Sequence, residues 1–155
     1  MKWTVSFFDQ MFCKRFSVPV TTVQILFPSM PELTLEQNAS ATFVCQTSAS
    51  SPQAVVQWYK RLADGKEVPI PGGTTSTVPN GTLVVTKSQL QYTVSRVDLK
   101  AEIYCKARTD GSPRSLAVTS ANKRMIIVRC KDVCFVHVIR IRTFIQCRIP
   151  VLYSF

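Results

Sequence analysis

Histidine is almost missing from this chain: among 155 residues there is one, His137. Nucleophile–base catalysis and most metal centres bring an imidazole together with other groups. Residues 20–128, which have none, therefore hold no Ser-His-Asp, Cys-His or histidine-ligated metal site. His137 sits between Val136 and Val138 and reads as a residue without catalytic duty. Glycine is scarce too, at 5, and the pair Gly72-Gly73 lacks the Lys-Ser/Thr that follows in a phosphate-cradling loop. Acidic residues number 9 against 19 Lys and Arg. Glu32, Glu36, Asp64, Glu67, Asp98, Glu102 and Asp110 are scattered, with no spacing that sets two carboxylates across a cleft, and read as turns and solvated faces. A protein without enzymatic activity or cofactor is the expectation.

Also missing is an apolar run long enough for a bilayer. Spanning takes about 20 mostly apolar residues, and Arg140, Arg142 and Arg148 interrupt the candidate stretch, each costing roughly 2.5–3.5 kcal/mol near a bilayer centre. No membrane span is expected. Residues 129–155 read as a basic, apolar tail outside the domain, from an aberrant frame or as an edge or interfacial segment. At the other end, Met1-Lys2-Trp3-Thr4-Val5-Ser6-Phe7-Phe8 starts like a secretory leader, but Asp9 breaks the apolar run and no small-residue cleavage site follows. Residues 1–19 are expected to be a signal-like or mis-started segment.

Basic charge and cysteine are plentiful. The net charge of +10 is unevenly placed: residues 1–29 carry three bases and one acid, 30–128 eleven and seven, and 129–155 five and one. The centre is only mildly basic, with neither the clustered bases and stacking aromatics nor the reader motif of a nucleic-acid binder, so no nucleic-acid partner is expected. The 6 cysteines, Cys13, Cys45, Cys105, Cys130, Cys134 and Cys147, are an even set compatible with an oxidising compartment. Cys130 and Cys134 are spaced as Cys-x-x-x-Cys without a second tight pair, so no zinc site is expected. Apart from Cys45 and Cys105, the cysteines read as spare disulfides or free thiols whose pairing is open. The sequons Asn38-Ala39-Ser40 and Asn80-Gly81-Thr82 fall at expected turns and are candidate glycosylation sites, which points to the secretory route.

Between residues 20 and 128 the texture is one of short alternating runs rich in Val, Thr, Ile and Tyr, separated by Pro, Gly, Ser and Asn. The expected strands are 22–27, 41–46, 55–61, 82–86, 89–95, 102–107 and 123–128. A further edge strand is expected at 67–70, where Pro69 bars a central position. In Ala41-Thr42-Phe43-Val44-Cys45, Phe43 and Cys45 share a face; Val56 and Trp58 share one in the next run, and Ile103 and Cys105 in a third. These strands present two sulfurs and an indole to one interior. In a sandwich about 10 Å thick a cystine can join the two inner faces, with the indole covering it.

Cys45, Trp58, Leu90, Ala101 and Cys105, in that order, resemble the immunoglobulin superfamily over residues 20–128. The stretch from Val84 to Asp98 is similar to constant-like domains of nectin-like, Sidestep-like and nephrin-like adhesion molecules. The resemblance implies an all-β, immunoglobulin-like two-sheet sandwich with an inter-sheet Cys45–Cys105 disulfide and a core of Phe43, Val56, Trp58, Leu90 and Ile103. Two departures set it apart from variable-type domains. Asp98 lies one residue early for the usual Asp-x-Gly turn, with Ala101 in the glycine's place, and Ile103 stands where many members have a tyrosine. By analogy with the family, Asp98 is expected to meet a base, with Arg96, Lys87 or Lys60 as candidates.

The implied role is protein–protein recognition or cell adhesion at the cell surface or outside the cell, with another immunoglobulin-like domain as a possible kind of partner. The alternatives are a secreted immune-recognition protein or a ligand-binding receptor ectodomain fragment. Candidate binding surfaces are the loops 47–54 and 108–122 and a face carrying Gln57, Tyr59, Tyr104, Lys123 and Arg124. Lys100, Lys106, Arg108, Arg114, Lys123 and Arg124 are expected to form a basic face able to take acidic glycans.

Overall fold

The computed structural model describes residues 17–109 and 116–129, which form the expected two-sheet sandwich. The readings placed on residues 1–16, 110–115 and 130–155, including Cys13, Arg114, His137 and the remaining cysteines, lie outside the described residues. The strands are β1 (Val23–Phe27), β2 (Glu32–Glu36), β3 (Ser40–Ser50), β4 (Ala54–Arg61), β5 (Glu67–Ile70), β6 (Thr74–Asn80), β7 (Leu83–Thr93), β8 (Glu102–Thr109), β9 (Val118–Thr119) and β10 (Arg124–Arg129). The smaller sheet runs β1-β3-β7-β6 and the larger β2-β10-β8-β4-β5, with β9 on β8. Pairing is antiparallel apart from β2, which lies parallel to β10. Among the described residues no helix is long and apolar enough to cross a membrane.

Alternation builds the core. Phe43, Cys45, Trp58, Ile103 and Cys105 have no exposed surface and Leu90 has 2%. Val56 is partly buried and packs against them. Cys45 on β3 is bonded to Cys105 on β8, which joins the two sheets. Trp58 lies 6.3 Å from the ring of Phe43, tilted by 59°. Its indole N–H, which could not be buried cheaply without a partner, donates to Ser88 Oγ at 3.0 Å.

That bond explains one difference from the sequence reading. Residues 82–86 and 89–95 are expected as separate strands because Lys87-Ser88 breaks the apolar pattern, yet β7 is continuous and Ser88 is a buried partner for Trp58. Three strands go unexpected: β2, β6 and the two-residue β9, which lies within the loop expected at 108–122. β2 alternates Leu33 and Leu35 inward, but its support is a parallel pairing with residues 125–129, far along the chain. β6, with sequence Thr-Thr-Ser-Thr-Val-Pro-Asn, is exposed along its whole length and has no apolar face to announce it.

At one pole of the sandwich Asp98 is fully buried in a 3-10 turn, Arg96–Asp98. Its Oδ1 accepts from Lys60 Nζ at 2.7 Å and the Tyr92 hydroxyl at 2.9 Å. Its Oδ2 accepts from the Ser95 N–H at 2.8 Å and hydroxyl at 2.7 Å. Of the three candidate bases, Lys60 is the one bonded to Asp98, while Arg96 donates to Gln37 Oε1 at 2.6 Å. Burial opposes a charge on Asp98, but the bonds from Lys60, Ser95 and Tyr92 outweigh it and hold the carboxyl below its ordinary value. Burial likewise opposes a charge on Lys60, and the bonds with Asp98 and Tyr92 overcome it and raise the ammonium above its ordinary value. Lys100, at φ 61, takes the left-handed conformation that suits glycine, whereas Ala101 is simply buried.

Candidate recognition face

With Trp58, Ile103 and Cys105 inside, strand alternation sends Gln57, Tyr59 and Arg61 of β4 and Glu102, Tyr104 and Lys106 of β8 to the outer side of the larger sheet. Register sets Tyr59 opposite Tyr104, and Arg61 opposite Glu102 on one side and Glu67 on the other. The two tyrosine rings stack, with centroids 5.9 Å apart and planes 20° apart.

Three cations lie over this stack. Lys106 Nζ is 4.6 Å from the Tyr59 centroid and 5.8 Å from that of Tyr104. Arg61 Cζ and Lys123 Nζ stand 5.7 and 5.6 Å from the Tyr104 centroid. Two carboxylates hold them there. Glu67 accepts from Lys106 Nζ at 2.6 Å and from the Tyr104 hydroxyl, and Glu102 accepts from Lys123 Nζ at 2.9 Å with Arg61 at 3.8 Å. The Lys106 and Tyr104 bonds hold Glu67 below its ordinary value. Desolvation and then the bond to Glu67 push the Tyr104 phenol up to about 12, so it remains a donor at physiological pH. Each exposed cation–π contact is worth about 0.5–1 kcal/mol, and fixing these long side chains in advance lowers the ordering cost of binding.

The face differs from the one read off the sequence. Gln57 is exposed and donates along the sheet to Ile70 O at 2.9 Å, while Tyr59 is half-buried. Tyr104 has no exposed surface of its own, because Lys106, Arg61 and Lys123 roof it. Lys123 belongs to the face, but Arg124 does not. Neighbours on a strand point to opposite sides, and Arg124, 5% exposed, turns inward beside Ile103. Its guanidinium donates to Pro28 O at 2.5 Å, Ile25 O at 3.1 Å and Lys123 O at 3.1 Å, so it ties β10 to the crossing between β1 and β2. Desolvation lowers its pKa.

The basic face is likewise redistributed. Lys106 and Lys123 are on it, Arg108 lies further along β8 opposite Val55, and Lys100 is at the pole turn. Arg61, Glu67 and Glu102 join it through the register of β4 with β5 and β8, which no local sequence pattern announces. The loop expected at 47–54 is shorter, because β3 runs to Ser50 and β4 starts at Ala54. Asn38 and Asn80 are both exposed and lie at opposite poles. Asn38 N bonds Val94 O beside the β7–β8 connection, and Asn80 pairs with Leu83 near the far end of β3.

The profile of the CD80-like C2-set immunoglobulin domain matches residues 26–115. The chain belongs to this C2-set immunoglobulin family. Among its relatives is Cell adhesion molecule 3 of Xenopus laevis, 31% identical over an alignment of 105 residues that covers 60% of this chain and 25% of that protein. Of solved structures, Rst D1-D2 superposes with a TM-score of 0.55 at 15% identity, covering 73% of this chain and 51% of the other. The full ectodomain (Ig1-Ig3) of mouse nectin-like molecule 4 gives 0.52 at 21%, covering 74% and 35%. The chain thus spans about a quarter of the adhesion molecule it matches. At these identities the two structures speak for the two-sheet sandwich fold alone.

Proposed function

We propose that this C2-set domain is an extracellular, non-enzymatic recognition module that acts in cell adhesion through the outer side of its larger sheet. Its partner is then a protein, either a second immunoglobulin-like domain or another copy of this one. The observation that carries the reading is the tyrosine stack under Arg61, Lys106 and Lys123, on a chain related to Cell adhesion molecule 3. Tyrosine and arginine dominate the energetics of protein interfaces, and here they are ordered before contact. Glycans at Asn38 and Asn80 would extend from the two poles and leave this side bare. A secreted immune-recognition protein or a receptor ectodomain would use the same surface. Binding of acidic glycans has less support, because Lys106 and Lys123 already face Glu67 and Glu102 and Arg124 is buried.

The test couples binding to stability. Beads coated with the disulfide-bonded protein are scored for aggregation with one another and for capture of cells. Tyr59→Ala and Arg61→Ala are each expected to weaken the attachment at least about tenfold, the loss expected for a residue worth about 1.4 kcal/mol or more. Lys123→Ala should weaken attachment with little change in melting temperature. Arg124→Ala should instead lower stability by about 2–3 kcal/mol, since carbonyls of Pro28 and Ile25 lose a charged donor. Attachment that survives both Tyr59→Ala and Arg61→Ala would overturn this surface as the binding site.

A further inference from the structure

We propose that β6 is a site of O-linked glycosylation, with the hydroxyls of Thr74, Thr75, Ser76 and Thr77 as acceptors. The proposal rests on the secretory-route reading above. Among the described residues β6 is an edge strand, paired only with β7, and all of its residues are exposed. Alternation gives it two faces, Thr74 and Ser76 on one and Thr75 and Thr77 on the other, and neither face is covered.

The hydroxyls of this strand differ in use from several buried or capping ones in the sandwich. Ser88 Oγ accepts the Trp58 indole, Thr109 Oγ1 the Val20 N–H and Thr47 Oγ1 the Thr86 N–H, while Ser95 donates to Asp98. No hydrogen bond joins the side-chain oxygens of Thr74, Thr75, Ser76 or Thr77 to another described residue. The run is bracketed by Pro71 and Pro79, and hydroxyl-rich sequence with proline is the composition of O-glycosylated segments. An extended, one-sided strand can also enter a transferase groove without unpairing from its neighbour.

In the transfer, a hydroxyl oxygen attacks the anomeric carbon of a nucleotide-activated sugar. The bond from that carbon to the diphosphate breaks, the nucleoside diphosphate leaves with the electron pair, and the hydroxyl proton passes to a base of the transferase. The sugars formed would cover an edge whose unpaired backbone groups otherwise invite another strand.

The experiment uses the full chain expressed through the secretory pathway of animal cells. Trypsin cuts after Lys66 and Lys87, so one peptide, 67–87, holds the acceptors together with Asn80. N-linked sugars are removed enzymatically, which marks Asn80 as Asp if it was occupied. The expected result is a residual sugar mass on peptide 67–87, localised by electron-driven fragmentation to residues 74–77. It should be absent from a Thr74→Ala/Thr75→Ala/Ser76→Ala/Thr77→Ala variant whose circular dichroism is unchanged. The increment distinguishes an N-acetylhexosamine from a hexose. Occupied Asn38 or Asn80 beside unmodified residues 74–77 overturns the proposal and leaves the secretory reading standing. A protein bare of sugar at all of these positions overturns both.

Discussion

Replacing both half-cystines, Cys45→Ala with Cys105→Ala, is expected to lower the melting temperature by about 15–30 °C. The bond closes a loop between residues 60 apart, and in the chain-entropy picture such a closure destabilises the unfolded chain by about 4 kcal/mol. For a domain of this size each kcal/mol moves the midpoint by about 4–8 °C, and total stability is about 5–15 kcal/mol. The alanines also leave space beside Trp58 and Phe43, which adds to the loss. Far-UV circular dichroism of the oxidised protein, the reduced protein and the double variant measures this directly. Reduced protein and variant should both melt well below the oxidised form, the variant lower by the cost of the space its alanines leave. A variant within about 5 °C of the oxidised protein would show that packing alone sets the stability.

Asp98→Ala is expected to cost about 3 kcal/mol, towards the lower end for a broken buried pair because Lys60 retains some access to water. The carboxylate is fully buried with four bonds to it, so its removal leaves the Lys60 charge without a counter-ion and takes an acceptor from the Tyr92 hydroxyl and from the Ser95 N–H and hydroxyl, while Lys60 keeps its bond to Tyr92. The pH dependence has a definite sign. Asp98 titrates lower in the folded protein than in the unfolded chain, so its contribution is present above about pH 4 and is lost as pH falls through its folded value. Lys60 titrates higher when folded, so its contribution is present below about pH 10 and is lost as pH rises through its folded value. Urea midpoints of wild type and Asp98→Asn, measured near neutrality and in acid, check the first limb. The gap between them should close in acid, and a gap of constant size would refute the assignment. Adding Lys60→Met to Asp98→Ala should recover part of the loss, because no charge is then left unpaired.

Most of the core is legible in the sequence because its signal is local. Phe43 with Cys45, Val56 with Trp58 and Ile103 with Cys105 each declare an inner face through a spacing of two. The edge strands are not legible in this way. β2 depends on a partner at residues 125–129, and β6 has no buried side to create a pattern. The recognition face is intermediate. Tyr59 and Tyr104 can be picked out as outward aromatics, but Arg61 and Glu102 acquire their meaning from the register between strands some 40 residues apart, and Glu67 from the pairing of β5 with β4. Assigning Lys123 and Arg124 to one surface conflicts with the alternation rule itself. Their proximity in sequence is what separates them in space, one roofing Tyr104 and the other buried against Ile25 and Pro28.

The parallel alignment of β2 and β10 also bears on load. A pull that draws Pro31, just before β2, and Arg129, at the end of β10, apart acts along these strands in opposite senses, so their backbone bonds are sheared together instead of opening one after another. Should they give way, the cystine still withholds the span of 60 residues between its halves, about 200 Å of slack at full extension.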